Sequence, residues 1–486
     1  MSWSRRRGLA SVACLAASYA CSTERGAGPI TPRPSVSRVA AVVNPYNSLS
    51  SVVTFAATNA DSARIVYWIE GDSPQMTPYY LLADTSAKIV VLGLRPDITY
   101  SYTVEVVGEN VTARSAAAQF TTGALPQFLG GVHLTITAGT PSPGYILTAV
   151  SPDDTVGYAV AFDESGNVAW YRRFSDGVPA SGTQQTANGN FTVFLGATLG
   201  GQPTYGRYVE FRPSGEVVRY HVASSPYYTD DHELLVTSSD TAHATTHLFG
   251  YAFRQTDMTA LGGAANALIA GHVLLRQAAN GQVEFMWNAW DHFQLQDWIE
   301  PPDFIKQQNP TDFDHPNSLD IDNDGNYIVS WRHLGEITKI DSRNGNIIWR
   351  LGGRNNQFTI VDPLSGFSGQ HSAGVLDNGN LLVYDNGWRH SPPETRAVEY
   401  SLDPGTKTAT LVWEYRHNPP IFTGFVGSVQ RFRNGNTLIG WGFVGTVTEV
   451  TMGGAVAWEG NLIVNGVQTI FYRALKAPSL YHYESP

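Results

Sequence analysis

Apolar residues in this chain come in short runs rich in Val, Ile, Phe, Tyr and Trp, each closed by Gly, Asn, Asp or Pro. Runs of that kind predict β-strands joined by tight turns. Ser51-Val52-Val53-Thr54-Phe55 and Arg64-Ile65-Val66-Tyr67-Trp68 are two early examples. From about Gly130 onward the pattern repeats. One unit is a turn with Gly, a few β-formers, then Trp. It occurs as Ser165-Gly166-Asn167-Val168-Ala169-Trp170, and again ending at Trp287, Trp349, Trp413 and Trp458. A sixth copy, Ser214-Gly215-Glu216-Val217-Val218-Arg219-Tyr220, has Tyr in place of Trp. A second unit, Asn-Gly-Asn or Asp-Gly-Asn before an apolar strand, begins at Asn188, Asp324, Asn378 and Asn434. Asn-Gly predicts two-residue hairpins in which both central residues take φ > 0.

Units of roughly 50 residues, each holding several short strands, are what a β-propeller produces. No blade buries both faces alone, so the ring must close, and Thr469 to Ala474 is the expected closing strand of the first blade. Six blades are expected, or seven if Gly250 to Phe293 holds an extra hairpin. The expected fold is therefore all-β: a six-bladed β-propeller over residues 130–486, preceded by a small β-sandwich over 40–124. In the sandwich, Leu94-Arg95-Pro96-Asp97-Ile98-Thr99-Tyr100 and the strand after it resemble the fibronectin type III pattern, with its tyrosine corner.

Composition agrees with this reading. The chain is 12% aromatic, with 47 Gly and 12 Trp, and only 15% of its residues are charged. Arg5-Arg6-Arg7 and the short apolar stretch Gly8 to Ala20 have the parts of a secretory signal, assigned to residues 1–20. Cys21 follows in a setting that resembles a lipoprotein box, which makes it an expected lipid attachment site. Residues 21–39, rich in Pro, Gly and Ser, read as a tether. The expected location is periplasmic or cell-surface, or secreted if Cys21 carries no lipid. Cys14 and Cys21 are the chain's two cysteines, so the mature chain makes no internal disulfide and no cysteine-based metal site. The net charge of −11 and the lack of a Lys/Arg-rich stripe argue against nucleic acid as a partner.

Ligands of propellers sit at a mouth of the central channel, so the residues just before each inner strand are the ones to inspect. In three consecutive blades a histidine stands there: His232, His315 and His371. Aligned blades put Ser181 and Gly427 at the matching position, and a purely structural role would recur in all. Arg332 ends the strand paired with that of His315. Three imidazoles could hold Zn²⁺ or Fe²⁺, but an Arg beside them repels a cation. Arg with His donors suits a tetrahedral oxyanion instead, with one imidazole left as nucleophile. That points to sulfuryl or phosphoryl transfer without metal or cofactor. His243 and His247 read as strand or loop rather than a helical metal pair. His333, His390 and His417 read as surface or turn residues, and Asp320 to Gly325 as a hairpin turn rather than a calcium loop.

At these residues the chain resembles the bacterial arylsulfate sulfotransferase family, whose members take aryl sulfates as donors and need no nucleotide cofactor. The matching stretches are Asp314-His315-Pro316-Asn317-Ser318, Ser330-Trp331-Arg332-His333, Ile337-Thr338-Lys339-Ile340-Asp341 and Trp349-Arg350-Leu351-Gly352-Gly353. Gln370-His371-Ser372-Ala373 through Val383-Tyr384-Asp385-Asn386-Gly387 matches as well. The resemblance implies an exported propeller enzyme that moves a sulfuryl group from a phenolic ester to a phenol, by a ping-pong route through a sulfohistidine. It implies His371 as nucleophile, Arg332 and His315 as ligands of the sulfuryl oxygens, and His232 as proton donor to the departing phenolate. The alternatives are a non-catalytic, surface-anchored binding module for sulfated or aromatic ligands, and a three-His metal enzyme.

Overall fold

The computed structural model describes residues 32–196, 206–237, 244–299 and 308–481. The expected signal, Cys21 and most of the expected tether lie outside these residues. Among the described residues every regular element longer than a 3₁₀ turn is a strand, and no helix is long and apolar enough to cross a membrane.

Two sheets come first. Strands Ser35–Val43, Ser51–Thr58 and Ser86–Val91 form one, and the other is built on Ser62–Trp68 and Thr99–Gly108. Alternate residues of both face a shared core that includes Phe55, Ile65, Tyr102 and Val104. The Arg95 amide donates to the Tyr100 hydroxyl at 2.9 Å, closing the corner that the sequence indicates. The first strand starts at Ser35, inside the stretch that reads as tether.

Among the described residues six sheets follow, each built on four antiparallel strands. The third and fifth carry one short extra strand paired in parallel, and the last carries Val132–Gly139 and Val467–Gln468 as well. Their inner strands, from the first sheet to the sixth, are Leu475–Ala477, Ala180–Gln185, Tyr228–Val236, Pro316–Ile321, His371–Val375 and Ser428–Arg431. Each of these strands touches the next, and the last touches the first, so they enclose a ring. The second and third strands of most sheets are buried on both faces, for example Phe191–Leu195, Tyr327–Trp331 and Thr446–Val450. Such burial follows from sheets stacked face to face, which explains why these strands read as unbroken apolar runs.

The repeated Trp lies on the fourth strand of its sheet, counted outward from the ring, and in three sheets it reaches the next one. Trp170 Nε1 donates to Pro213 O at 2.8 Å, Trp287 Nε1 to Gly345 O at 2.9 Å and Trp413 Nε1 to Met452 O at 3.0 Å. Each acceptor is in the turn before the strand that carries the neighbouring sheet's own copy of the repeat, so these three indoles hook one sheet to the next, whereas Trp458 Nε1 is buried with no hydrogen-bond partner.

Three expectations need correction. The closing strand is Leu475–Ala477, paired with Tyr145–Leu147, rather than Thr469 to Ala474. Gly250 to Phe293 holds no extra sheet, because Thr246–Thr256 and Ala267–Gln277 are long central strands of the third sheet. The Asn-Gly turns are not two-residue hairpins. Gly189, Gly325, Gly379 and Gly435 have φ > 0, but the residue before each does not. In the first of them Gly189 N donates to Thr186 O and Thr186 N to Asn190 O. That is a type I turn followed by a left-handed glycine, the three-residue hairpin.

Candidate active site

His232 lies within the inner strand of the third sheet, His315 immediately before that of the fourth, and His371 opens that of the fifth. All three strands depart from regular pairing at that point, between Thr229 and Leu234, Pro316 and Ser318, and His371 and Gly374. Irregularities of this kind re-aim side chains. His315 itself has φ of +49°, a left-handed conformation that His tolerates better than most residues. Its carbonyl accepts the amide of Arg332 at 2.9 Å, which ties the two site residues together. The rings of His232 and His315 stand edge to face with centroids 4.5 Å apart.

The histidines share a residue type but not a state. His371 is 3% exposed. Its Nδ1 faces Asn386 Oδ1 at 2.7 Å and Gly369 O at 3.1 Å. Asn386 can present only its oxygen, because its amide nitrogen donates to Thr423 O at 2.6 Å and Val426 O at 3.1 Å. Two acceptors fix the proton on Nδ1 and leave the Nε2 lone pair bare. Burial, and then the positive charge of Arg332, hold this ring well below the usual 6.5. His371 is neutral, with a defined tautomer.

His232 is the opposite case. Burial alone would lower it, but the carboxylates of Asp230 and Asp231 outweigh that and raise it to about 9. Its Nδ1 is 3.0 Å from both oxygens of Asp230. His315 turns Nδ1 to Asp312, yet burial and the charges of His232 and Arg332 hold it well below 6.5. A neutral ring carrying its proton on Nδ1 satisfies both facts.

Arg332 has three neighbours: its Nη1 meets His333 Nε2 at 2.8 Å, its Nη2 donates to Gly424 O at 3.1 Å, and its guanidinium lies 5.3 Å from the ring centre of Trp388. Its Nε is buried without a hydrogen-bond partner, and among the described residues no carboxylate pairs with it. Burial lowers it to about 10, so it remains a cation. A buried, unpaired guanidinium is costly on its own and readily accepts an anion. Arg332 also lines a cavity of about 260 Å³ walled by Trp388, Phe367, Ile360 and Ile299.

The structure thus brings together the four expected residues. The three histidines read as surface or turn residues do lie in turns or loops, but none of them is exposed. His333 is buried, braced between Arg332 and Asp312 O, with its ring 4.7 Å from that of His315. His390 is buried 3.3 Å from Asp385, and His417 is half-buried 2.9 Å from Glu459. His247 is on a strand, as expected, while His243 lies outside the described residues. The turn at Asp322 and Asp324 folds its carboxylates onto Lys339.

His272, Asp230, Asp312 and Asn386 carry part of the site and were not singled out from sequence. His272 left one signal, an imidazole in the apolar run Leu268-Ile269-Ala270-Gly271-His272-Val273-Leu274. Among the described residues three sets could share a cation by proximity: Asp312 with His315 and His333, Asp230 with Asp231 and His232, and His272 with Asp312 and Asp314. In each set the imidazole Nδ1 is already committed to a protein oxygen.

The site thus holds an imidazole with a bare nitrogen, His371, and within its electrostatic reach a buried guanidinium, Arg332, that no carboxylate pairs with among the described residues. The chain belongs to the arylsulfotransferase (ASST) family, whose sequence model matches residues 210–465. Membership implies arylsulfotransferase-type activity. No curated protein matches the chain. Among solved structures, a protein of unknown function from Bacteroides caccae aligns at 14% identity and TM-score 0.43, covering 70% of this chain and all of its own. Virginiamycin B lyase from Staphylococcus aureus aligns at 9% identity and TM-score 0.31, over 67% of this chain and 88% of its own. A protein from Lactobacillus plantarum does so at 11% and 0.37, over 86% and 99%. Scores this low bear neither on the fold nor on the reaction.

Proposed function

We propose that this protein is a six-bladed β-propeller enzyme, with a fibronectin type III-like sandwich at its N-terminus, that passes a sulfuryl group from an aryl sulfate to a phenol through a sulfohistidine at His371. The observation that carries this reading is the pairing of Arg332, buried with an open Nε and no carboxylate, with His371, whose Nε2 lone pair is bare.

The Nε2 of His371 attacks the sulfur of the ester. The S–O bond to the ring breaks, its electrons go to the aryl oxygen, and His232 gives that oxygen a proton. The phenol leaves and the sulfuryl group stays on His371. A second phenol then gives its proton to His232 and attacks the sulfur, and the N–S electrons return to His371. Transfer of this kind has a loose transition state with charge on the peripheral oxygens. Arg332 meets those oxygens with a planar fork, and donors preorganised in a dry site supply most of the catalysis. His315 becomes a second donor when the arriving anion raises its affinity for a proton at Nε2. The aromatic part of the ester lies in the cavity along Trp388 and Phe367.

Export by the N-terminal signal and anchoring through lipid at Cys21 would place this chemistry in the periplasm or at the cell surface.

Release of 4-nitrophenol from 4-nitrophenyl sulfate, with and without a second phenol, tests the proposal. Turnover should depend on the acceptor, and folded His371→Ala should be inactive. No release with any of several phenols would favour a binding module, and full activity in the variant would remove His371 as nucleophile.

A further inference from the structure

Behind His232 lies a buried chain of charged groups that the reaction as described does not use. His272 is 1% exposed, in the middle of the strand Ala267–Gln277. Its Nδ1 contacts Asp314 Oδ1, and its own amide donates to the other oxygen of Asp314 at 3.1 Å. Its Nε2 is 3.4 Å from Asp230 Oδ2, an ion-pair distance without hydrogen-bond alignment. Asp230 in turn faces Nδ1 of His232. The order is Asp314, His272, Asp230, His232, and both aspartates are fully buried.

The fold brings these groups together on purpose-built backbone. Before the fourth sheet begins, Thr311-Asp312 pairs in parallel with Ile269-Ala270 of the third, and Phe313 N donates to Ala270 O at 2.9 Å. That detour sets Asp314 against His272, two residues further along the strand. A simple brace between sheets would need one hydrogen bond. Here both ring nitrogens of His272 face carboxylates, and only an imidazolium carries a proton on each.

We infer that His272 is a positioning residue of the sulfuryl-transfer site, a buried cation that keeps Asp230 ionised so that the shared proton resides on His232. This inference rests on the proposed role of His232 as the acid that protonates the leaving aryl oxygen. An aspartate as deeply buried as Asp230 would otherwise tend towards its neutral form. With one cation on each side it stays an anion, and Asp314 balances the second cation. The shifts agree: burial is outweighed at His272, which is held well above 6.5 first by Asp314 and then by Asp230. Asp230 is held well below its usual value by His232 and His272.

Other charged groups face this chain. Asp231, on the same strand as His232, is pushed up by burial, and its carboxylate is one of those that raise His232. From the fourth sheet come Asp312, which raises His232, and His315, which is neutral. The phenols of Tyr208, Tyr251 and Tyr472 close the remaining sides, and all are raised by burial, so they stay neutral. His272 is therefore the cation that stands behind Asp230.

The test is a pH titration of protein carrying ¹³C-labelled histidine, followed by NMR in the wild type, His272→Gln and Asp314→Asn. In the wild type His272 should remain imidazolium past neutral pH while His232 titrates near 9. His272→Gln keeps an N–H donor but no charge, and should lower the His232 midpoint by about one unit or more. Asp314→Asn should lower it less, and it serves if His272→Gln does not fold. Titration of His272 near 6.5, or an unmoved or raised His232 midpoint in both variants, would overturn the inference, with or without enzymatic activity. Transfer rates add a separate reading. His272→Gln should slow phenyl sulfate at pH 8 by roughly tenfold or more and 4-nitrophenyl sulfate far less, since the poorer leaving group needs the acid. Equal slowing of both donors would mean that His272 only braces the sheets. Absence of transfer in the wild type would instead remove the proposed function, leaving the titration to decide the charge state.

Discussion

The imidazole of His371 meets an amide oxygen and a carbonyl, whereas that of His232 meets two carboxylates. The first environment fixes a tautomer without supplying charge, and burial beside Arg332 keeps the ring neutral. The second supplies enough negative charge to hold a proton up to about pH 9. The consequence for rate follows directly. A group raised to about 9 is protonated below that pH and loses its proton as the pH climbs through it. A group held well below 6.5 is already a free base at neutral pH. The pH profile of kcat/KM with phenyl sulfate should therefore be flat from mildly acidic to neutral pH and fall as the pH passes about 9. An alkaline limb near 6.5, or an acid limb there, would contradict these assignments.

At the scale of strands and turns, the sequence and the structure agree where the signal is local. The Trp repeat marks the fourth strand out from the ring in every sheet but the second, where Tyr220 stands, and for three of the copies the structure adds a reason: an indole N–H that hooks the next sheet's turn. The histidines before the inner strands were legible because aligned sheets place Ser181 and Gly427 at the same point. The Asn-Gly turns misled, since one left-handed glycine and a flanking type I turn leave the same dipeptide as a two-residue hairpin. His333 looked like a turn residue because it follows Arg332 at a strand end, yet that turn folds into the site. The His272–Asp314 contact spans 42 residues and two sheets. No period or spacing announces such a pair. Nor does sequence show how sheet five is steadied, by buried Arg396 paired with Asp385, Asp362 and Glu414. Asp385 also accepts the amides of Ser368 and Gly387, which braces the loop before His371.

Across the whole molecule, closure comes from both ends of the ring. Leu475–Ala477 supplies the inner strand of the first sheet, and Val132–Gly139 adds an outer strand to the last. Lys476 locks this junction by reaching Glu449 at 3.0 Å, with both side chains almost fully buried. Breaking such a pair leaves a buried charge uncompensated and costs about 3 kcal/mol or more. Lys476→Met should therefore unfold at lower denaturant with an unchanged slope, while the folded fraction keeps its transfer rate. An unchanged midpoint would mean that closure does not depend on this pair. The ring brings groups from the third, fourth and fifth sheets to one place, where the proposed reaction puts the transferred sulfuryl group on His371. The direct measurement is to mix the protein with an aryl sulfate without acceptor, quench, digest and locate any added SO₃ by mass spectrometry under conditions that preserve N–S bonds. Transfer through a sulfohistidine predicts one sulfuryl group on His371 that disappears when a phenol is added before the quench. A label on another residue, or transfer with no labelled intermediate, would contradict it.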